Sequence, residues 1–150
     1  MAKVFLDKIS ATAHIESVKS AVDIKDGQFV ALGVLGSDGE TRVATKAKGA
    51  ADAEVLVVNK PLDYGYIDFD AVADVNKAGK AARAYHLVKG DVLSFSKDAV
   101  VGVKLGDKVT VGDDGYGFKL AGETDTAVGL VIGEDYLGYD GDVFVIAITK

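Results

Sequence analysis

Eighteen glycines and a single proline punctuate the 150 residues, and short runs rich in valine, isoleucine, leucine and aromatic residues lie between them. Glycine reaches positive φ without steric cost, so a glycine-rich chain with no low-complexity stretch spends its glycines on turns. Short apolar runs spaced by roughly 8 to 12 residues with turn signals between them predict many short strands, not helices. "IKDGQFV" at Ile24, "VKGDVL" at Val88 and "VKLGDKV" at Val103 repeat one small pattern: Val or Ile, then Lys, then Gly and a polar residue ahead of an apolar strand. Each reads as a turn that starts a strand, with its glycine in the left-handed position.

From the N-terminus, Val4, Phe5, Leu6 and Ile9 form a short extended piece, and "SATAHIESVKSAV" has no strong period and reads as irregular or as an edge strand. An N-terminal arm over 1–22 is therefore expected. "FVALGVL", the turn signal Ser37-Asp38-Gly39 and the β-branched residues at 41–45 predict a hairpin. "AEVLVVNKP" is another strand, closed by Asn59 and the only proline. The segment 63–86 differs in texture, being alanine-rich, charged and without regular turn spacing. It reads as a central insertion, either a long loop or a short helix over 71–77 capped by Asp68 or Asp70. From Leu87 the strand texture returns, and in the final run both alternating sets, Val143/Val145/Ala147 and Phe144/Ile146/Ile148, are apolar. That strand is expected to be buried on both faces. The fold class is mainly β: one small antiparallel β-barrel or β-sandwich over 1–150, large enough for a real core.

Charge and composition remove several classes of function. Acidic residues outnumber basic ones 23 to 17, giving a formal charge of −6, and no Lys/Arg cluster forms a stripe that would track phosphates. Nucleic acid is not an expected partner. No run approaches the roughly 18 apolar residues of a membrane helix, and "MAKVFLDKIS" lacks the apolar core of a signal peptide, so a cytoplasmic protein with no membrane partner is expected. Without cysteine there is no disulfide and no thiolate chemistry.

Enzyme templates find little support. Gly79-Lys80 in "NKAGKAA" lacks the upstream glycine and the following hydroxyl of a phosphate-binding loop, and Gly115-Tyr116-Gly117 is followed by strand-like sequence, not a helix. His14 and His86 are far apart in sequence and neither has a metal-ligand spacing. No GxSxG elbow is present. "DKVTVGDDGYG" and "EDYLGYDGD" offer oxygen ligands for Ca²⁺, yet follow no calcium-loop order and also match Asp-Gly hairpin turns at Asp113-Asp114-Gly115 and Asp140-Gly141. Turn and calcium site both stay open. No catalytic residue, cofactor or metal is assigned. Aromatic residues give the clearest surface signal: Tyr64, Tyr66 and Phe69 fall in the central segment and Tyr85 closes it. With Val4 and Phe5 these are the candidate contact residues.

The C-terminal half carries a pattern resembling the head-decoration, or capsid cement, proteins of tailed bacteriophages. The matching residues are Gly106, Asp107, Val109 and Val111, then Gly117 and Leu120, then Gly129, Val131 and Glu134, and the closing strand 143–148. "DIKDGQFVALGVL" resembles the family's entry strand, with Gln28 where an aspartate is usual. The resemblance implies a non-enzymatic virion protein, assembled in the host cytoplasm, that binds the major capsid protein on the outer surface of the assembled capsid. It also implies a homo-oligomer, with a trimer favoured. Competing readings are a phage head-fibre, tail-tube or connector protein, a biotinyl or lipoyl carrier modified at Lys108, and a hydrolase using acidic residues such as Asp113 and Asp140.

Overall fold

Residues 14–58, 75–137 and 141–150 are described by the computed structural model of the chain. In chain order the strands are β1 (Ile15–Ser20), β2 (Ile24–Lys25), β3 (Phe29–Leu35), β4 (Arg42–Lys46), β5 (Val55–Val57), β6 (Val75–Asn76) and β7 (Ala82–Tyr85). They continue as β8 (Val92–Ser96), β9 (Val100–Val101), β10 (Lys108–Val111), β11 (Phe118–Leu120), β12 (Gly129–Leu137) and β13 (Gly141–Ile148). Two 3-10 turns, Lys97–Ala99 and Asp113–Gly115, are the helical pieces among the described residues.

The first half closes into a five-stranded barrel in the order β1-β4-β3-β5-β7, and the second forms a six-stranded sheet in the order β8-β13-β12-β10-β11-β9. Strands β2 and β6 pair separately. Pairing is antiparallel except between β1 and β4 and between β9 and β11. Period-two alternation divides the side chains of β3 and β5 between two cores. Val30, Val55 and Val57 fill the barrel with Val18, Ala44, Ala82 and Ala84. The intervening residues Phe29 and Leu56 point the other way and join the sheet's core of Phe95, Val109, Phe118, Val131 and Ile146.

The three repeated turns all form with glycine at positive φ, at Gly27 (96°), Gly90 (103°) and Gly106 (89°). Each glycine N–H donates to the carbonyl of a facing residue: Val57, Ile148 and Val131 respectively, at 2.9 Å in all three. The same facing residue returns an N–H bond to the residue after the glycine, at 2.8–2.9 Å. Asp91 and Asp107 also bend their carboxylates back onto the N–H groups of Val88 and Lys104, each at 2.9 Å. Gln28, which replaces the aspartate in the first turn, bonds elsewhere.

Its amide Nε2 donates to the carbonyls of Phe29 (2.9 Å) and Asp114 (2.8 Å), which ties the barrel to the β10–β11 loop. The Gly117 N–H donates to the Gly27 carbonyl at 2.8 Å beside it. Gln28 is 4 % exposed. Gln28→Ala therefore takes the donor from the Asp114 carbonyl, while the Phe29 carbonyl keeps the Ala47 N–H at 3.0 Å, and a loss of about 1–3 kcal/mol is expected in urea unfolding. A loss under about 0.5 kcal/mol would mean that the tie carries no weight.

Several expectations change. The stretch read as irregular or edge-like, within an arm over 1–22, contributes Ile15–Ser20 as a barrel strand paired on both sides. Val18 and Ser20 alternate inward there, a run too short to stand out between charged neighbours. In the proposed helix over 71–77, Val75–Asn76 is a strand paired with Ile24–Lys25, held further by Asn76 Nδ2 donating to Asp26 at 2.9 Å; 71–74 lie outside the described residues. Ala82–Tyr85, read as part of an insertion, closes the barrel against β1, because Ala82 and Ala84 are small enough to face inward. In β13, Phe144, Ile146 and Ile148 are buried as expected and so is Val143, but Val145 and Ala147 are only half-buried. The outer face beside them presents Ser94, Val92 and Gly133, and these small side chains leave it thinly covered.

The hairpin over 29–46 forms, with Asp38 at its tip. The acidic stretch ahead of Phe118 is also a hairpin: β10 and β11 pair from Val109↔Leu120 to Val111↔Phe118, with Asp113–Gly115 as a 3-10 turn.

Candidate functional site

Of the six candidate contact residues, Val4, Phe5, Tyr64, Tyr66 and Phe69 lie outside the described residues. Tyr85 is the sixth, at the end of β7, where it pairs with both Ile15 and Leu56 and stacks on His14 with ring centroids 6.4 Å apart. Pairing of β1 with β7 also brings the two histidines together, the His86 N–H donating to the His14 carbonyl at 2.8 Å. His86 Nε2 lies 3.2 Å from Glu16 Oε1, and Arg42 approaches the same carboxylate at 3.7 Å. Among the described residues no three His, Asp or Glu side chains converge as metal ligands would.

Tyr85 lines a groove of about 840 Å³ between the barrel and the edge of the six-stranded sheet. Leu56, Val58, Leu87, Val88 and Val92 form its walls, with His14, His86 and Asp91 as its polar members. Val88 is 57 % and Val92 56 % exposed. Isolated exposed valines are ordinary, but a concave apolar strip beside an aromatic ring has the character of a docking surface. Sequence reading picked out Tyr85 alone: Leu87, Val88 and Val92 follow it closely in the chain, but they become a groove only against Leu56, Val58 and His14, which fold back from distant positions.

The other motifs resolve into structure. Lys108 opens β10 opposite Leu130, and a carrier domain would present its modified lysine at a hairpin tip. Gly79-Lys80 lies in a turn that leads to strand β7, and Asp23 there accepts the Ala78 N–H at 2.8 Å and pairs with Lys77. Both the strand and the carboxylate are unsuited to a phosphate. At the acidic hairpin, Asp113 pairs with Lys119 at 2.8 Å, a bond that raises the Lys119 pKa, and the Asp114 carbonyl serves Gln28. Asp140 lies outside the described residues. Burial raises the Tyr116 pKa, with Asp98 and Asp26 adding to it.

Two carboxylates are held below their ordinary pKa of 3.8: exposed Asp38 by Lys19, the Thr41 hydroxyl and the N–H groups of Thr41 and Glu40, and half-buried Asp52 by the N–H groups of Lys48 and Gly49. A carboxyl group with a depressed folded pKa stabilises the fold above its ordinary value and loses that contribution as the pH falls through the depressed one. Asp38→Asn is accordingly expected to melt below the parent at neutral pH, with the gap narrowing as the pH falls below the ordinary carboxylate pKa and closing only below the depressed one. A gap that persists in acid would assign the loss to geometry instead of charge.

With the fold and the groove described, the chain can be set beside known proteins. It superposes on the crystal structure of the N base of head fiber gp8.5 of bacteriophage phi29 with a TM-score of 0.51, covering 90 % of this chain and 92 % of that one at 16 % identity. The likeness is one of fold. No family model matches the chain, and no curated protein does.

Proposed function

We propose that the chain is a non-enzymatic structural protein of a bacteriophage virion, seated on the outer surface of the assembled head against the major capsid protein. The observation that carries this reading is the fold shared with a phage head-fiber base over nearly the full length of both chains. The turn and strand motifs that resemble capsid decoration proteins, with Gly106, Asp107, Gly129 and Val131 among them, support the same location. The groove beside Tyr85 is the surface we assign to the contact, since its exposed valines offer apolar area that docking would remove from water.

The physical requirement is modest. A protein that binds the assembled shell and not the free subunit stabilises the shell by mass action, and contact with more than one subunit multiplies the effect. Cosedimentation with capsids lacking the protein is the test. Binding to assembled capsids and not to unassembled capsid protein is expected. Val88→Asp and Val92→Asp are each expected to weaken it by about tenfold or more, a change of about 1.4 kcal/mol. Equal binding to free subunits, or no effect of either variant, would remove the reading or its surface respectively. Particle images divide the two uses of such a module: copies across the whole lattice mean decoration, and copies beneath projecting fibres mean a fibre base.

A further inference from the structure

Strand β8 forms one margin of the six-stranded sheet, paired with β13 on one side and with no strand on the other among the described residues. We propose that a second copy of this chain adds its own β8 there, antiparallel, to make one continuous sheet across a two-fold axis at Ser94. This goes beyond the head-surface reading and does not rest on it.

Proteins blunt free edges by keeping them short, bulged or charged. The other free edges of this sheet follow that rule: β9 is two residues long, and the part of β12 beyond its pairing with β10 carries a bulge, Glu134 and Asp135. Strand β8, Val92-Leu93-Ser94-Phe95-Ser96, has no charge, proline or bulge. Its backbone is also in phase for pairing. The Ile148 N–H donates to the Asp91 carbonyl at 2.8 Å, and antiparallel bonding alternates, so Leu93 and Phe95 bond to β13 while Val92, Ser94 and Ser96 aim N–H and C=O away from it.

The edge is complementary to itself. A two-fold axis at Ser94 sets Ser94 opposite Ser94 and Val92 opposite Ser96, and their outward groups then exchange about six hydrogen bonds. Leu93 faces Phe95 of the second copy, and at both ends Asp91 faces Lys97 of the second copy, so charges of opposite sign meet in a chain whose net charge is −6. An axis at Leu93 or Phe95 would lose about two of these bonds and set Asp91 or Lys97 against an apolar side chain. The ladder runs from 91 to 97, so Val88 and the barrel wall of the groove take no part in it. A contact of this kind uses the same patch on both copies and closes at two.

The test is sedimentation of the full chain, without capsids, from about 1 μM to 1 mM, and a monomer–dimer equilibrium is expected within that range. Ser94→Pro removes an N–H that β13 does not use, at an edge where proline is tolerated, and is expected to weaken the dimer by about tenfold or more at an unchanged melting temperature. Lys97→Glu and Asp91→Lys are each expected to weaken it by about tenfold, since symmetry makes each change act twice, and a mixture of the two variants to restore it, because every facing charge is then again opposite. The chain has no cysteine, so Ser94→Cys under mild oxidation is expected to link two copies, whose facing Cα atoms would lie about 5.5 Å apart, whereas Val101→Cys, exposed on β9, is not. A monomer throughout, a trimer, equal linking through both cysteines, or no recovery in the mixture would overturn the pairing. A monomer whose Ser94 N–H resists hydrogen exchange would overturn it in favour of another segment of the same chain on this edge. Cosedimentation with capsids tests the head-surface reading separately.

Discussion

Phe118→Ala is expected to lower stability by about 3–5 kcal/mol, a large part of the roughly 5–15 kcal/mol that holds a domain together. Phe118 has no exposed surface, and its ring meets Phe29 and Phe95 edge-on, with centroid distances of 5.5 and 5.0 Å. Such aromatic pairs contribute about 0.5–1.5 kcal/mol each beyond the area they bury. Phe29 comes from the barrel and Phe95 from the sheet, so truncation opens a void at the joint of the two, where neither side can collapse freely to fill it. Chemical denaturation should show a lower midpoint with an unchanged slope. Leu120→Ala, two residues along the same strand and 48 % exposed, should cost less than about 1 kcal/mol. Similar losses for the two would remove Phe118 from the centre of the fold.

Gly117→Ala is the second large effect, and its cause is steric. A Cβ on Gly117 would overlap the Ala99 carbonyl oxygen, and the residue sits at φ +60°. The backbone there cannot retreat, since the Gly117 N–H is bonded to Gly27 at 2.8 Å and its carbonyl accepts from Gly112 at 2.9 Å. A loss above about 4 kcal/mol, or failure to fold, is expected. Gly102→Ala separates sterics from conformation: φ is +71° but a Cβ there meets nothing within 4 Å. Its cost should be only the left-handed backbone penalty of about 1–2 kcal/mol. Equal costs at the two positions would leave the close approach of Gly117 to Ala99 without energetic meaning.

How much of this was readable in advance depends on whether the signal is local. The turns at Gly27, Gly90 and Gly106 were legible because each is a four-residue event whose glycine states its own φ. The β10–β11 hairpin was legible for the same reason, through alternation on both sides of an Asp-Gly turn. Barrel closure was not. Ile15 and Tyr85 pair across seventy positions, and β7 faces its core with alanines, which carry little hydrophobic contrast. The groove beside Tyr85 shares that difficulty, as it exists only once β5, β7 and β8 are assembled. The role of Gln28 was half visible: its departure from aspartate could be noted, but its partner at Asp114 lies 86 residues away.

The strand order has a consequence for synthesis. Strand β13, made after every other strand of the sheet, is not at the margin of the six-stranded sheet but between β8 and β12, with which it makes most of its contacts. Until residues 141–148 emerge, β8 has no neighbour in that sheet and the apolar faces of Phe95 and Val131 stay open to other chains. The barrel half depends on nothing later than Tyr85 for its own ladder. Nascent chains of this protein therefore pass through a stage with one half closed and the other sticky, the stage at which chaperone capture or aggregation competes with completion.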